Sequence, residues 1–348
     1  MSKLLEPAHL AKLSLKNRVV MSPMCLYAVT QEDGVLTPVH FAHYLTRAMG
    51  QVGLIILEAT AVTPDGRITK NDLGLWNDAQ AVKLRDLVTN LHQLGAKVGV
   101  QLNHAGRKAV DAVTPVAPSD QRYSPDYRQP HTLTIPKIHD IVADFRAAAK
   151  RATAAGVDVI DIHGAHGYLI DQFLSPVVNQ RHDPYGGSLR DRYRLLHEIA
   201  TAIRDEFSGS LWTRLSLTDY QPSTQQNSLS EWQRVAQWLE ADGVDLLDVS
   251  TGGLFPLKPN FPVHDGYQTK FATKLKHAVD IPVSTVGLLD NPGLCEYILQ
   301  NHQADLILEG RALLRNPNWV ATADLALHDH NLTRDTFNQS YYRGMDER

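Results

Sequence analysis

Short apolar runs with little polar alternation recur along this chain, separated by longer stretches with helical spacing. The runs are Arg18–Met21, Gly53–Glu58, Lys97–Leu102, Val157–His163, Leu211–Leu217, Val244–Ser250, Ile281–Val286 and Ala304–Glu309. Each is rich in Leu or β-branched residues, the pattern of strands buried on both faces. The spacing between them predicts helices over Pro38–Met49, Ala79–Leu94, Lys137–Ala155, Arg190–Phe207, Ser230–Asp242, Thr269–Ala278, Pro292–Asn301 and Asn318–Ala326. Thr37 precedes Pro38 as an N-cap before a first-turn proline. Gly95 and Gly156 close two helices as glycine C-caps.

Three units share one grammar: a helix end, then Gly or Ala, then an aspartate-led strand. They are Ala155-Gly156-Val157-Asp158, Asp242-Gly243-Val244-Asp245 and His302-Gln303-Ala304-Asp305. Eight strands, each followed by a helix, in one chain of this length imply an α/β (β/α)₈ barrel in a single domain, residues 1–348. An open doubly wound sheet is the competitor. It normally has a glycine-rich turn after its first strand, whereas here that strand leads into Met21-Ser22-Pro23-Met24-Cys25. One connection, Gly106 to Pro136, carries five prolines and is too long for a bare linker. It is expected to fold as a lid or excursion near the site.

Composition narrows the class only modestly. The chain has 348 residues, 43% hydrophobic and 21% charged, with a net charge of −4. That is ordinary for a globular protein and gives no reason to expect nucleic acid. Two cysteines, Cys25 and Cys295, suit a reducing compartment. The first residues contain no apolar signal core, and no run is long enough to span a bilayer. The expectation is a cytoplasmic protein without a membrane partner.

The chemistry should gather where strands end. The fourth strand leads into His163-Gly164-Ala165-His166-Gly167-Tyr168. Two imidazoles there can grip an oxygen that gains negative charge, and a phenol can deliver a proton. Two histidines lack the further protein ligands a metal centre requires, so no metal is expected. Gln101 and Arg214 lie inside strands and would read the edge of a planar, hydrogen-bonding ring. Glycines after the last three strands, including Gly287 and Gly310, with Arg311 beside them, suit a phosphate. A phosphorylated planar cofactor follows, either flavin mononucleotide or pyridoxal phosphate. The strand ends carry no obvious Schiff-base lysine, which favours the flavin.

Four segments together resemble the Old Yellow Enzyme family. They are Ser22-Pro23-Met24-Cys25, Gly106-Arg107-Lys108, His163-Gly164-Ala165-His166-Gly167-Tyr168-Leu169 and Arg181-His182-Asp183-Pro184-Tyr185-Gly186-Gly187-Ser188. Order and spacing agree from about Leu4 to Arg315. Cys25 and Tyr27 are similar to the bacterial thermophilic-like subclass of NADPH dehydrogenases and ene-reductases. The resemblance implies non-covalent FMN held by Ser22, Pro23, Met24, Cys25, Ala59, Gln101, Arg214, Gly287, Gly310 and Arg311. It implies NADPH as reductant and enones or other electron-poor alkenes as substrates. His163 and His166 would hold the substrate carbonyl, Tyr168 would donate the proton, and Tyr27 would touch substrate. A tail from about residue 327 to 348 would carry Arg343 into a neighbouring subunit, which implies a homodimer or a tetramer built from such dimers. Asn103 stands where the family has a smaller residue and would narrow or polarise the pocket. Three other classes compete: a dienoyl-CoA-type reductase, a metal-dependent hydrolase and a non-catalytic binding barrel. The first normally needs a cysteine cluster for iron–sulfur, and this chain has two cysteines in all.

Overall fold

The structure, a computed structural model, describes residues 2–256, 263–329 and 331–345. Its centre is a closed barrel of eight parallel strands. These are β1 (Val19–Met21), β2 (Leu54–Ala61), β3 (Lys97–Asn103), β4 (Val159–Gly164), β5 (Ser210–Ser216), β6 (Leu246–Ser250), β7 (Val283–Thr285) and β8 (Leu306–Glu309). Each pairs with its neighbours in sequence, and β8 pairs with β1 to close the ring. Eight helices follow in turn: α1 (Pro38–Met49), α2 (Asp78–Gln93), α3 (Ile135–Ala155), α4 (Leu189–Glu206), α5 (Leu229–Ala241), α6 (Thr269–Lys276), α7 (Pro292–Gln300) and α8 (Trp319–Leu327). The (β/α)₈ expectation is met, with boundaries displaced by one to a few residues.

Capping explains several of the helix starts. Ser188 and Ser228 accept from Asp191 N and Glu231 N at the starts of α4 and α5. Asn77 and Asn291 do the same for α2 and α7. α3 ends at Gly156 in the left-handed conformation, φ 84°, which glycine adopts without a Cβ penalty.

The aspartate-led grammar also has a physical basis. Asp158 accepts from Val98 N at 2.9 Å and from Lys97 Nζ at 2.8 Å. Asp245 accepts from Leu211 N at 2.9 Å and Arg204 Nη1 at 2.8 Å. Asp305 accepts from Val283 N at 2.9 Å and Lys276 Nζ at 2.6 Å. Each carboxylate ties the start of its own strand to the start of the preceding one through a charge-assisted bond.

Two apolar shells fill the protein. The outer one lies between strands and helices. The inner one includes Val20, Leu54, Ile56, Val159, Trp212 and Leu308, and with it pack Ala8, Leu13 and Leu15. These last come from a hairpin, Ala8–Leu10 with Leu13–Leu15, that precedes the barrel. The periodicity reading did not contain it, because three-residue strands show no pattern. With the lower interior packed by side chains, the open end is the C-terminal one.

The long connection after β3 is an excursion, as expected. It forms a turn at Gly106–Lys108 and pairs Val116–Ala117 with His131–Thr132. Arg181 Nη1 fixes it by donating to the carbonyls of Pro118 at 3.1 Å and Leu133 at 2.6 Å.

Candidate active site

β4 delivers His163 to the barrel mouth, and the chain then turns sharply into a short helix, Leu169–Leu174. His166 and Gly167 both have positive φ, 57° and 72°. A Cβ on Gly167 would lie 2.2 Å from the Gly253 carbonyl oxygen, so this position admits only glycine. A left-handed histidine costs about 1–2 kcal/mol, and three contacts hold His166 there. Its N–H donates to Ser216 Oγ at 3.0 Å. Its carbonyl accepts from Lys108 Nζ at 2.9 Å. Its Nε2 lies 2.8 Å from Ser250 Oγ. Lys108 Nζ also donates to the Gly253 carbonyl at 3.1 Å. Loops after β3, β4 and β6 are thereby locked together.

The turn brings three rings into one cluster. His163 and His166 stand edge to face with centroids 5.0 Å apart. Tyr168 meets His163 in the same way at 4.8 Å. Burial is the main cause that holds both imidazoles well below the ordinary histidine pKa. Both are therefore neutral at physiological pH, each with one N–H to offer. Burial also pushes the Tyr168 phenol well above its ordinary value. It stays protonated, with the Lys108 ammonium 4.9 Å from its ring centroid.

Below these rings lies a polar layer. Arg214 on β5 donates from Nη1 to Ser22 Oγ at 3.0 Å. Its Nε lies 3.3 Å from Asp248 Oδ2. Gln101 Nε2 donates to Asp161 Oδ2 at 2.8 Å. Ser22 and Arg214 thus meet directly, and Gln101 enters the same layer through Asp161. Cys25 packs with Tyr168 against Ala59, Ala105 and Ala109. Burial raises its thiol well above the ordinary value, so it is a neutral wall residue. Tyr27 is half exposed at the rim, with φ 52°. Glu58 sits at a register shift in β2 and turns outward. It accepts from Leu26 N at 2.9 Å and from the Tyr44 hydroxyl at 3.0 Å, and so fixes the loop that carries Cys25 and Tyr27.

Beside the rings, a cavity of about 210 Å³ is lined by His166, Arg214, Ser250, Gly287, Gly310 and Arg311, among others. Gly287 has φ 122°, and a Cβ on Gly310 would stand 3.3 Å from Met24 Sδ. Gln268 Oε1, on the same cavity, is buried without a hydrogen bond. Glycines in the wall, Arg214 and Arg311 on the lining and an orphaned polar atom fit a ribityl phosphate such as that of FMN. A wider groove of about 740 Å³ lies outside the cluster, lined by Gln121, Gln180, His182 and Phe255. The smaller cavity is where the strand ends converge. No group of three or more metal-ligating side chains is present among the described residues.

Sequence reasoning missed the supports. Ser216, Ser250, Lys108 and Gly253 reach the cluster only through barrel register. Asn103 is buried at the end of β3, with Oδ1 unpartnered. Arg343 is exposed on a tail turn, Gln339–Gly344. Among the described residues no hydrogen bond or ion pair joins it to His163, His166 or Tyr168.

These features define a flavin-binding (β/α)₈ barrel. Residues 3–330 match the NADH:flavin oxidoreductase / NADH oxidase family, and the chain belongs to it. It is an FMN-dependent oxidoreductase of the Old Yellow Enzyme type. The NADPH dehydrogenase of Listeria welshimeri is 50% identical over 327 residues, covering 94% of this chain and 96% of that one. The NADPH dehydrogenase of Halalkalibacterium halodurans is 47% identical over 315 residues, covering 90% and 92%. Morphinone reductase superimposes with a TM-score of 0.81 at 28% identity, covering 97% of this chain and 93% of that one. A 2-naphthoyl-CoA reductase complex, at 22% identity and TM-score 0.87, shares the fold.

Proposed function

We propose that this enzyme is an ene-reductase that uses NADPH to reduce the C=C bond of α,β-unsaturated carbonyl compounds. The observation that carries this reading is the ring cluster at the mouth: two neutral imidazoles and one protonated phenol, with the His163 ring 5.0 Å from His166 and 4.8 Å from Tyr168. Similarity to NADPH dehydrogenases and to morphinone reductase supports it.

FMN, when bound, would take hydride from NADPH and supply it to the β-carbon of the alkene. Ser22, Pro23, Met24, Cys25, Ala59, Gln101 and Arg214 would hold its ring, and Gly287, Gly310 and Arg311 its phosphate. His163 and His166 would donate N–H bonds to the carbonyl oxygen and stabilise the charge that develops there. This withdraws electrons from the β-carbon. Tyr168 would give its proton to the α-carbon, and its raised pKa keeps that proton available across the physiological range. Tyr27 would close over the substrate at the rim. Arg343 would complete the site of a second copy in a homodimer or tetramer. No helix among the described residues is long and apolar enough to cross a membrane, and a cytoplasmic location is the natural setting for an enzyme fed by NADPH.

Tyr168→Phe separates the half-reactions. The ring keeps its contacts, so flavin bleaching by NADPH should proceed at the original rate. Reoxidation by cyclohexenone should slow by roughly 10²–10⁴, the usual value of a positioned acid. Undiminished reoxidation would remove Tyr168 from the donor role.

A further inference from the structure

The polar layer beneath the mouth contains more acid than base. Asp161 on β4 and Asp248 on β6 are both fully buried, and Arg214 on β5 is 4% exposed. One guanidinium serves two carboxyls. Each carboxyl has one hydrogen bond, but Asp248 also has the ion pair: Ser284 Oγ donates to its Oδ1 at 3.0 Å, and Arg214 Nε lies 3.3 Å from its Oδ2 without a hydrogen bond. Asp161 has one amide donor, Gln101 Nε2, and its Oδ1 is buried without a hydrogen bond. A second bare carboxylate in so dry a layer is heavily penalised, and protonation is the ordinary escape.

We propose that Asp161 and Asp248 hold one proton between them, resident on Asp161, and that this proton sets the charge beneath the flavin. The proposal rests on the reading that places the ring edge over Gln101 and Arg214. With the proton in place, Arg214 and Asp248 cancel and the layer is neutral. Without it, the layer carries one net negative charge directly under the ring. Reduction adds negative charge to that ring, so reduction and proton retention favour each other. Residue 161 is thus a positioning group for charge and does not touch substrate.

The surroundings support this assignment. Asp161 is flanked by Gln101 from β3, Trp212 and Arg214 from β5 and Asp248 from β6, with neutral His163 above it on its own strand. Ser284 faces the layer from β7, and Ser22 from the loop that follows β1. Glu58 on β2 faces away, toward Tyr44 and Leu26. Arg214 is therefore the one cation among these groups. Burial first, and then the neighbouring Asp248 charge, raise Asp161 to about 8. Burial likewise raises Asp248.

The test is the midpoint potential of the bound flavin from about pH 6 to about pH 10, in the parent, Asp161→Asn and Asp248→Asn enzymes. The parent should take up one extra proton per two electrons around pH 8. That is a tenfold change in the reduction equilibrium per pH unit, about 30 mV, beyond the slope common to all three. Each variant leaves one acid for one guanidinium, so the extra slope should vanish in both; either variant suffices if the other fails to fold. Identical slopes in all three proteins would overturn the proposal. Melting temperature without FMN reads the proton independently. The parent should lose stability relative to Asp161→Asn as pH rises through about 8. If that difference appears while the potentials coincide, the linkage is overturned because the ring edge lies elsewhere, and the placement of FMN fails with it. If neither difference appears, the proton is absent and the placement stands.

Discussion

Removing the hydroxyl of Ser250 tests how the histidine pair would grip an oxygen. Both imidazoles are neutral, so each has one N–H. Ala165 N–H donates to His163 Nδ1 at 3.4 Å, which puts the His163 proton on Nε2. That atom faces His166 Nδ1 at 3.4 Å. A carbonyl oxygen seated between the two nitrogens receives one N–H from His163 as it stands. It receives a second only if His166 carries its proton on Nδ1, and then His166 Nε2 must accept. Ser250 Oγ, 2.8 Å away and able to donate, is the group that allows this. Ser250→Ala leaves Nε2 buried without a donor in the tautomer that binds oxygen. Leaving a buried acceptor unpaired costs about 1–3 kcal/mol, or roughly a 5- to 150-fold loss of affinity for a phenol that mimics the charged oxygen. The assay is a phenol titration followed through the flavin absorption bands. The effect should disappear in a His166→Ala background, because the coupling passes through that ring. Unchanged phenol affinity in a folded Ser250→Ala enzyme would refute the tautomer argument. An equal loss in the His166→Ala background would refute the route.

Two further outcomes are expected. Gly167→Ala should cost more than about 3 kcal/mol, because its methyl collides with the Gly253 carbonyl. Gly187→Ala, with φ 86° but open space around it, should cost only about 1–2 kcal/mol; equal losses of melting temperature would show that sterics are not the cause. The pH dependence of stability has two opposed sources. His40, His43 and His104 are lowered to about 4 by burial. Like His163 and His166, they gain protons on unfolding, and so destabilise the protein as pH falls below the free-histidine value of about 6.5. Glu58, Asp161 and Glu309 are raised to about 7, 8 and 8, and Asp72 and Asp219 to about 6. Their contribution is complete at low pH and is lost as pH rises through those values. Below about pH 6 the two sets offset each other. From about pH 6.5 to about pH 8 the acids act alone, so the melting temperature should fall. A rise over that interval would contradict the assignments.

Much of the barrel was legible because burial on both faces leaves a local trace. Val159–Gly164 and Leu246–Ser250 read as apolar runs whatever their partners. The aspartate-led starts were visible too, although their purpose emerged only with the neighbouring backbone N–H groups. The hairpin at Ala8–Leu15 was invisible for the opposite reason, since its strands are too short to show a period. At the site the division is similar. His163, His166 and Tyr168 occupy one turn, so their proximity needs no tertiary information. Their protonation states do, because those are set by Ser250, Lys108, Arg214 and the depth of burial.

Asp161 shows the difference most sharply. In sequence it is one polar residue interrupting an apolar run. Strand alternation puts it on the same side as His163, two positions on, but says nothing of what it meets there. Register supplies that: Gln101 lies across from it on β3, and Trp212 on β5, with Arg214 one step higher toward the mouth. Asp248 lies opposite Arg214 on β6. Three strands far apart in sequence must therefore close in one register before two acids share one guanidinium. A shift of one residue in any of them would turn its side chain outward, into the apolar shell. The turn that carries the rings can be read from the sequence; the charge beneath it is a property of the closed barrel alone.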